Sequence, residues 1–192
     1  TTGESPTLSH EEKLALTQHI ATYVPVDTLL IANAGTNNTA ESVRNARELS
    51  EIPNVDAILA VTPYYNKPNQ RGMIAHFTAI ADASNRPVML YNIPGRSAVG
   101  LTVDSVVTLA QHPNINAIKE TTSVAFIAAE IEQTQNDDFA VYTGEDAQTL
   151  AAFVHGGAGT ISVASHLYGR DMSALFNALA VGDWQEAGVL QR

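Results

Sequence analysis

The segment VMLYNIPGRSAVG, residues 88–100, joins a buried-strand pattern to an abrupt change of chemistry. Its first residues are continuously apolar, which predicts a strand covered on both faces. The strand then ends in Tyr91 and Asn92, and the chain turns through a Pro-Gly pair to Arg96. A phenol, a carboxamide and a guanidinium therefore follow one another at the point where the chain leaves the core.

The same pattern of short apolar runs recurs along the chain and predicts six strands. They are expected at Thr28–Asn33, Asp56–Thr62, Pro87–Asn92, Ile115–Glu120, Phe139–Thr143 and Thr160–Ala164. A helix is expected in every interval, because a parallel strand requires a crossover that returns the chain to the same end of the sheet. A doubly wound sheet and an eight-stranded (β/α) barrel both fit this alternation. No glycine-rich phosphate-binding motif follows any strand, which weakens a nucleotide-binding interpretation.

Four helices carry boundary or face signals of their own. A capping-box sequence begins the first, a capping aspartate begins the third, and an apolar face marks the second and the fourth. The first helix begins with Ser9 to Glu12 and ends near Val24, and the third begins at Asp146 and ends at Gly156-Gly157. The second carries Met73, Phe77, Ile80 and Ala81 on one face, and the fourth carries Met172, Leu175, Phe176 and Leu179.

The composition bounds the class of protein. With 192 residues and 45% hydrophobic content, the chain can bury one sizeable core. A formal charge of −10 argues against binding to nucleic acid or to an anionic membrane, and no apolar stretch is long enough to span a bilayer. No secretion signal is visible, so we expect a soluble cytoplasmic protein.

Cysteine and histidine usage limits the chemistry further. The absence of cysteine excludes disulfides and thiol nucleophiles. The six histidines lack metal-ligand spacing and are expected mostly on helix surfaces or in loops, so we predict no metal site.

Polar and ionisable groups collect at the C-terminal ends of the predicted strands, which is the face where a (β/α) barrel builds its active site. Lys119 is the most informative of them, because it follows apolar residues on a short strand. Burial would lower its pKa and free the amine to form a Schiff base with a keto acid. An ordinary lysine that pairs with Glu120, or extends its ammonium group to water, is an equally open alternative.

Hydroxyl groups stand near the same strand ends. Tyr91 and the pair Tyr64 and Tyr65 can supply phenols for a proton relay, with Thr1 or Thr2 as hydroxyl bridges. The alternative is that these aromatic side chains only fill the mouth of a barrel.

Three more residues are candidates for ligand contacts. Arg96 can bind a substrate carboxylate through two parallel hydrogen bonds, or it is an ordinary surface arginine. Gly144 and Ile161 can offer backbone groups to a ligand, or they are a turn glycine and a core residue.

Six short motifs, in chain order, resemble the dihydrodipicolinate synthase family of pyruvate-dependent, aldolase-type enzymes. This family also contains N-acetylneuraminate lyase and sugar-acid aldolases. The motifs are TTGES at Thr1–Ser5, VTPYYNKP at Val61–Pro68, YNIPGR at Tyr91–Arg96, IKE at Ile118–Glu120, GED at Gly144–Asp146 and GTISV at Gly159–Val163. The resemblance covers essentially the whole chain.

The resemblance implies a (β/α)8 TIM barrel, usually in a homotetramer. It also implies a lyase of lysine and diaminopimelate biosynthesis that needs no cofactor. The expected reaction condenses pyruvate with L-aspartate-4-semialdehyde to 4-hydroxy-tetrahydrodipicolinate. The alternative within the family is a sugar-acid aldolase or N-acetylneuraminate lyase.

The resemblance assigns four catalytic residues. Lys119 would be the Schiff-base lysine, and Tyr91 would donate and accept protons. Tyr91 would be linked through Thr1 to Tyr65, which in this family reaches in from the neighbouring subunit.

It assigns four substrate contacts as well. Thr2 would hold the pyruvate carboxylate, with Gly144 and Ile161 contributing backbone groups, and Arg96 would bind the carboxylate of the semialdehyde. The lyase branch tends to carry small apolar residues at the Gly-Arg position, so Arg96 favours the synthase.

A possible lysine-effector site is also implied. The matching residues are Ser5, His10, Asn37, Glu41 and Tyr64. Lys13 stands where lysine-inhibited relatives tend to carry histidine, and a second cation would repel the ammonium groups of lysine. We therefore expect weak or absent inhibition by lysine.

The resemblance further implies that residues 1–192 form a single but incomplete barrel domain. Two strands with an intervening helix would precede TTGES, and further helices would follow Arg192. Six strands cannot close with the usual tilt and stagger, and they leave two unpaired edges. A third hypothesis is therefore a catalytically inert fragment that self-associates through these edges.

Overall fold

A computed structural model describes residues 2–135 and 137–192. Their strands form one six-stranded parallel sheet in which each strand pairs with the next along the chain. The strands are β1 Ile31–Asn33, β2 Ala57–Val61, β3 Val88–Asn92, β4 Ile115–Glu120, β5 Ala140–Thr143 and β6 Gly159–Thr160. Because the strand order never reverses, the sheet lacks the switch point of a doubly wound fold. The alternation is that of a (β/α) barrel.

Helices follow every strand. They are α1 His10–Ala21, α2 Thr39–Ser50, α3 Gln70–Ala83, α4 Pro94–Ser97, α5 Val103–Ala110, α6 Val124–Thr134, α7 Thr149–Val154, α8 Ser165–Val181 and α9 Trp184–Leu190. Short 3-10 turns lie at Ser5–Thr7 and Asp146–Gln148. Contacts run from α2 to α3, from α3 to α5 and from α5 to α6, so these helices form a layer against the sheet. Within the described ranges, no helix has the length and apolarity to cross a membrane.

The core follows from the continuously apolar strands. Ile58, Leu90 and Ile118 on three adjacent strands are completely buried, and they belong to one cluster with Phe77 and Ile80 of α3. Strands covered on both faces leave no room for polar side chains except at their ends. The ends are therefore where the functional groups lie.

The strand predictions are right in number and order, and their errors lie at the ends. β4 has the predicted bounds, whereas β1 begins three residues later than predicted, at Ile31. The carboxylate of Asp56 accepts the amide of Leu30 at 2.8 Å, so a side chain takes the place of a ladder partner there.

The predicted strand Thr160–Ala164 is shorter and ends at Thr160. The Asp146 carboxylate accepts the amides of Val163 and Ala164, at 3.2 and 2.9 Å, and this turns the chain out of the sheet. The prediction that Asp146 caps its own helix is therefore wrong, because its carboxylate binds the segment before α8 instead.

The first helix is confirmed at its start and shorter at its end. Ser9 and Glu12 form the predicted capping box, with hydrogen bonds of 3.2 and 2.8 Å. α1 ends at Ala21 rather than near Val24. Directly after this end, the hydroxyl of Thr22 donates a hydrogen bond to the carbonyl of His19 at 2.7 Å.

His76 is an exception to the expectation that the histidines lie mostly on helix surfaces or in loops. This residue on α3 is only 4% exposed, and its Nδ1 lies 2.8 Å from the hydroxyl of Thr39 on α2. Burial lowers the pKa of His76 from 6.5 to about 4. A histidine on the buried face of α3 gives no sequence signal that separates it from an exposed one.

His76 is expected to make the fold sensitive to acid. The unfolded chain takes up a proton on this imidazole below about pH 6.5, whereas the folded protein does so only near pH 4. The free energy of unfolding should therefore fall by about 3 kcal/mol between these pH values and level off below them. In urea unfolding at pH 7 and 4.5, His76→Gln should reduce this loss, whereas His19→Gln on exposed α1 should leave it unchanged. An equal pH dependence in both variants would contradict the assignment.

Candidate active site

Lys119 and Tyr91 meet because β3 and β4 are paired in parallel register. Tyr91 lies opposite Lys119 in this ladder, near the C-terminal end of each strand. Parallel pairing sends both side chains to the same face of the sheet. The Lys119 Nζ lies 4.2 Å from the centre of the Tyr91 ring. The side chains are buried, with 7% exposure for Lys119 and 3% for Tyr91.

The surroundings of Lys119 favour the neutral amine. Burial lowers the pKa of Lys119, and the charges of Glu145 and Asp146 oppose this in part. In the described ranges, no carboxylate lies within ion-pair distance of its Nζ. The alternative of a lysine extended into water is excluded by its burial.

Pairing with Glu120 is excluded too. Successive side chains of a strand point to opposite faces, so Glu120 faces away from Lys119. Its carboxylate accepts hydrogen bonds from Asn92 Nδ2 at 2.7 Å and from the amides of Thr121 and Thr122 at 2.8 Å each.

A cavity of about 530 Å³ opens over the Lys119–Tyr91 pair. Its lining residues come from several loops at the C-terminal ends of the strands: Thr2, Tyr91, Ile93, Arg96, Lys119, Thr121, Gly144, Glu145, Asp146 and Val163. The structure therefore brings together five of the eight predicted site residues. Arg96 lies exposed on the rim, on the single-turn helix α4. A volume of this size suits a small molecule.

Three predicted residues do not line this cavity. Tyr65 is 86% exposed in a loop where it adopts a positive φ of 71°, and within this chain it lies outside the cavity lining. The amide of Ile161 donates to the Thr143 carbonyl at 2.9 Å, so only its carbonyl remains for the predicted ligand contact. The prediction for Thr1 lies outside the described residues.

Glycine is required at position 144 because a Cβ atom there would lie too close to the Lys119 side chain. A Cβ atom at this position would lie 2.7 Å from Lys119 Cε and 2.6 Å from the methyl group of Thr121. Both distances are shorter than real Cβ contacts, so any side chain here would displace the lysine.

The residues of the predicted effector site are only partly gathered. Ser5, Glu41 and Tyr64 line a second cavity of about 220 Å³, together with Lys13. His10 does not line it, because its ring binds the side chains of Asn45 and Glu48. Asn37 is also absent from the lining, and its side chain bonds Asn66 at 3.3 Å.

Sequence reasoning missed the residues that support the site. Thr121 and Val163 line the main cavity, although neither was singled out. The buried carboxyl of Glu130 on α6 was missed too, although the helical spacing of Ile127, Glu130 and Thr134 places the three on one face. A glutamate at a core position of a helical pattern was the available signal.

Comparison with known proteins establishes the family of this chain. Residues 1–192 match the Dihydrodipicolinate synthetase family along their whole length. The chain belongs to this family. The resemblance seen in the six motifs is therefore confirmed.

Three of the relatives that match this chain are named as synthases. The 4-hydroxy-tetrahydrodipicolinate synthase of Leuconostoc citreum strain KM20 is 98% identical over the whole chain, which spans 66% of that protein. The crystal structure of dihydrodipicolinate synthase DapA-2 from Bacillus anthracis shares 46% identity with a TM-score of 0.95, over 99% of this chain and 65% of that one. That of the chloride-inhibited synthase from Acinetobacter baumannii, complexed with pyruvate, shares 38% identity with a TM-score of 0.93, over 99% of this chain and 65% of that one.

These matches confirm the predicted fold class of this chain, which is the (β/α) TIM-barrel type. Residues 2–135 and 137–192 contain six parallel βα units of the TIM-barrel type. The chain spans slightly less than two thirds of the length of the synthase from Leuconostoc citreum.

Gly144→Ala is expected to impair the site without unfolding the protein. The added methyl group must push Lys119 Cε out of place, and displacement by about 1 Å can cost about 100-fold in rate. The rate of Lys119 modification by pyruvate and borohydride should fall accordingly, with a circular dichroism spectrum like that of the wild type. Gly169→Ala on α8 is the matched control, since a Cβ there meets no atom within 4 Å. Equal rates in both variants would show that the lysine is not confined as described.

Proposed function

We propose that this chain carries the active site of a 4-hydroxy-tetrahydrodipicolinate synthase, with Lys119 as the Schiff-base lysine. The observation that supports it most is the buried Lys119 Nζ, 4.2 Å from the ring of Tyr91 at the base of a cavity. A desolvated amine beside a phenol is what imine formation with a keto acid needs. The imine supplies the electron sink, so the reaction as proposed uses no cofactor.

The neutral amine of Lys119 adds to the keto carbon of pyruvate. The resulting hydroxyl takes up a proton and leaves as water, which gives the imine. Loss of a proton from the pyruvate methyl group then gives an enamine, whose carbon attacks the aldehyde carbon of L-aspartate-4-semialdehyde. The aldehyde oxygen takes up a proton and becomes the hydroxyl group of the product, and the imine to Lys119 is restored. The amino group of the semialdehyde finally closes the ring by displacing Lys119. We assign Tyr91 as the group that gives and takes these protons, because its ring lies against the lysine.

The substrate contacts follow from the lining of the cavity. Thr2 and Gly144 line the same cavity as Lys119 and are proposed to hold pyruvate. Ile161 lies outside this lining, and its proposed contact with pyruvate is limited to its carbonyl, because its amide bonds the Thr143 carbonyl. Arg96 at the rim is proposed to bind the carboxylate of the semialdehyde, since a guanidinium can form two parallel hydrogen bonds with a carboxylate. This cation supports the synthase over a sugar-acid lyase.

A second subunit is part of this proposal. Tyr65 is 86% exposed within the chain and lies outside the cavity that holds Tyr91. Tyr65 is therefore proposed to act in the active site of a neighbouring copy, linked to Tyr91 through Thr1, in a homotetramer. Residues 1–192 would supply six βα units of an incomplete barrel domain in each subunit.

Pyruvate with borohydride tests the proposal directly. Incubation of the protein that carries this sequence should yield a covalent adduct on Lys119, located by peptide mass spectrometry, because borohydride reduces the imine. Lys119→Met should give no adduct. Lys67→Met, which removes a lysine from the exposed loop of Tyr65, is the control and should react like the wild type. A folded protein without an adduct would refute the proposal and favour an inert fragment.

The second substrate separates the synthase from its alternative. With pyruvate present, L-aspartate-4-semialdehyde should be consumed and N-acetylmannosamine should not. Arg96→Ala should raise the KM for the semialdehyde at least tenfold, because a carboxylate contact is lost, and leave pyruvate trapping intact. Consumption of N-acetylmannosamine instead would establish the lyase.

Lysine is expected to inhibit weakly or not at all. Lys13 lines the cavity of Ser5, Glu41 and Tyr64. Its positive charge would repel the cationic groups of a bound lysine. Lys13→His should therefore increase lysine inhibition, measured as the concentration for half inhibition of synthase activity. Inhibition of the unchanged protein by sub-millimolar lysine would contradict this.

A further inference from the structure

Two buried carboxyl groups lie behind the catalytic lysine. Glu120 follows Lys119 on β4 and faces away from the cavity, and Glu130 lies on the buried face of α6. Neither residue has any exposed surface. A buried carboxylate is costly unless it is paired or hydrogen-bonded, so each of the two groups needs a physical account.

Glu120 has donors that stabilise a negative charge. Its carboxylate accepts hydrogen bonds from Asn92 Nδ2 and from the amides of Thr121 and Thr122, at 2.7 to 2.8 Å. Burial raises the pKa of Glu120, while the hydrogen bonds from Asn92 and Thr122 and that with Glu130 oppose this rise. Three N–H donors are the usual means of keeping a buried carboxylate ionised.

Glu130 lacks such donors. Within the described part of the chain, neither of its oxygens accepts a hydrogen bond, and no cation pairs with it. Burial, the charge of Glu120 and a hydrogen bond to Glu120 raise the pKa of Glu130 to about 9. Two ionised carboxylates offer no donor to each other, whereas a proton on Glu130 supplies one. The pair then holds one proton and a single negative charge.

We propose that Glu130 is a positioning residue for the Lys119 reaction. As a neutral acid it donates a hydrogen bond to the Glu120 carboxylate and so fixes the turn that follows β4. This inference rests on the proposed function, since it concerns the same cavity.

The carboxyl pair connects to two loops of the cavity. Glu120 holds the amide of Thr121, whose hydroxyl donates to the Asn92 carbonyl at 2.9 Å. Thr121 lines the cavity next to Lys119 and Gly144. The side-chain oxygen of Asn92 accepts a hydrogen bond from the amide of Leu101 at 3.0 Å. This bond closes the loop that carries Arg96. The hydrogen bonds of Glu120 therefore fix both loops, and the proposed hydrogen bond from Glu130 fixes the Glu120 carboxylate.

Among the residues that the structure describes, Glu120 is the titratable group that acts on Glu130. The elements α5, β5 and α7 pack against α6. Their titratable residues are Asp104 on α5 and Tyr142 on β5, and Glu132 is the other acidic residue of α6. Of the charged groups, Glu120 is the one that acts on Glu130. The proton of the pair is thus a local property of these two side chains.

Two substitutions of similar size separate the hydrogen bond from packing. Glu130→Gln keeps a neutral donor toward Glu120, whereas Glu130→Leu fills the space without one. We expect pyruvate trapping on Lys119 to slow at least tenfold in Glu130→Leu and less than twofold in Glu130→Gln. Glu132→Leu, at an exposed position of the same helix, should match the wild type. Thermal melts establish that each variant is folded.

Infrared spectroscopy detects the proton without any substrate. The wild type at pH 7 should show the carbonyl stretch of a buried protonated carboxylic acid, and both Glu130 variants should lack it. Absence of this band in the wild type, equal trapping rates in folded Glu130→Leu and the wild type, or equal losses in both Glu130 variants would each overturn the inference. A wild type that shows the band but forms no pyruvate adduct would refute the proposed function and, with it, the positioning role.

Discussion

The parallel pairing of β3 with β4 is the constraint on which the site depends. It sets Tyr91 opposite Lys119 and Asn92 opposite Glu120. Because side chains alternate between the two faces of a sheet, the first pair faces the cavity and the second faces the helices. A slip of one residue between these strands would reverse this arrangement and send the lysine into the helix layer. Register therefore positions both the Lys119 amine and the Glu120 carboxylate.

Burial then gives these groups their chemical character. The same desolvation that lowers the pKa of Lys119 raises that of Glu130 to about 9. In each case the low-dielectric interior disfavours the charged form. Glu120 differs because three N–H donors surround its carboxylate. A single physical effect thus favours the neutral form of the Lys119 amine on one face of β4 and of the Glu130 carboxyl on α6.

The sequence-based predictions for Asp146 and His76 differ from the structure for the same reason. Asp146 was expected to cap its own helix, but its carboxylate binds amides 17 and 18 residues away along the chain. His76 was expected on a surface and lies in the core. Local patterns of polarity and spacing describe neighbours within a helix turn or a strand, whereas these partners come from other elements. Such contacts cannot be read from periodicity.

The sequence by itself determined the alternation of six strands with helices, the position of Lys119 at a strand end, and the six motifs that indicate the family. These are local or cumulative features, and continuous apolar runs and motif order encode them directly. Only the tertiary structure decided that Lys119 is buried against Tyr91, that Gly144 has no space for a side chain, and that Glu130 lies behind Glu120. These facts depend on strand register and helix packing, because both bring together residues that are distant along the chain.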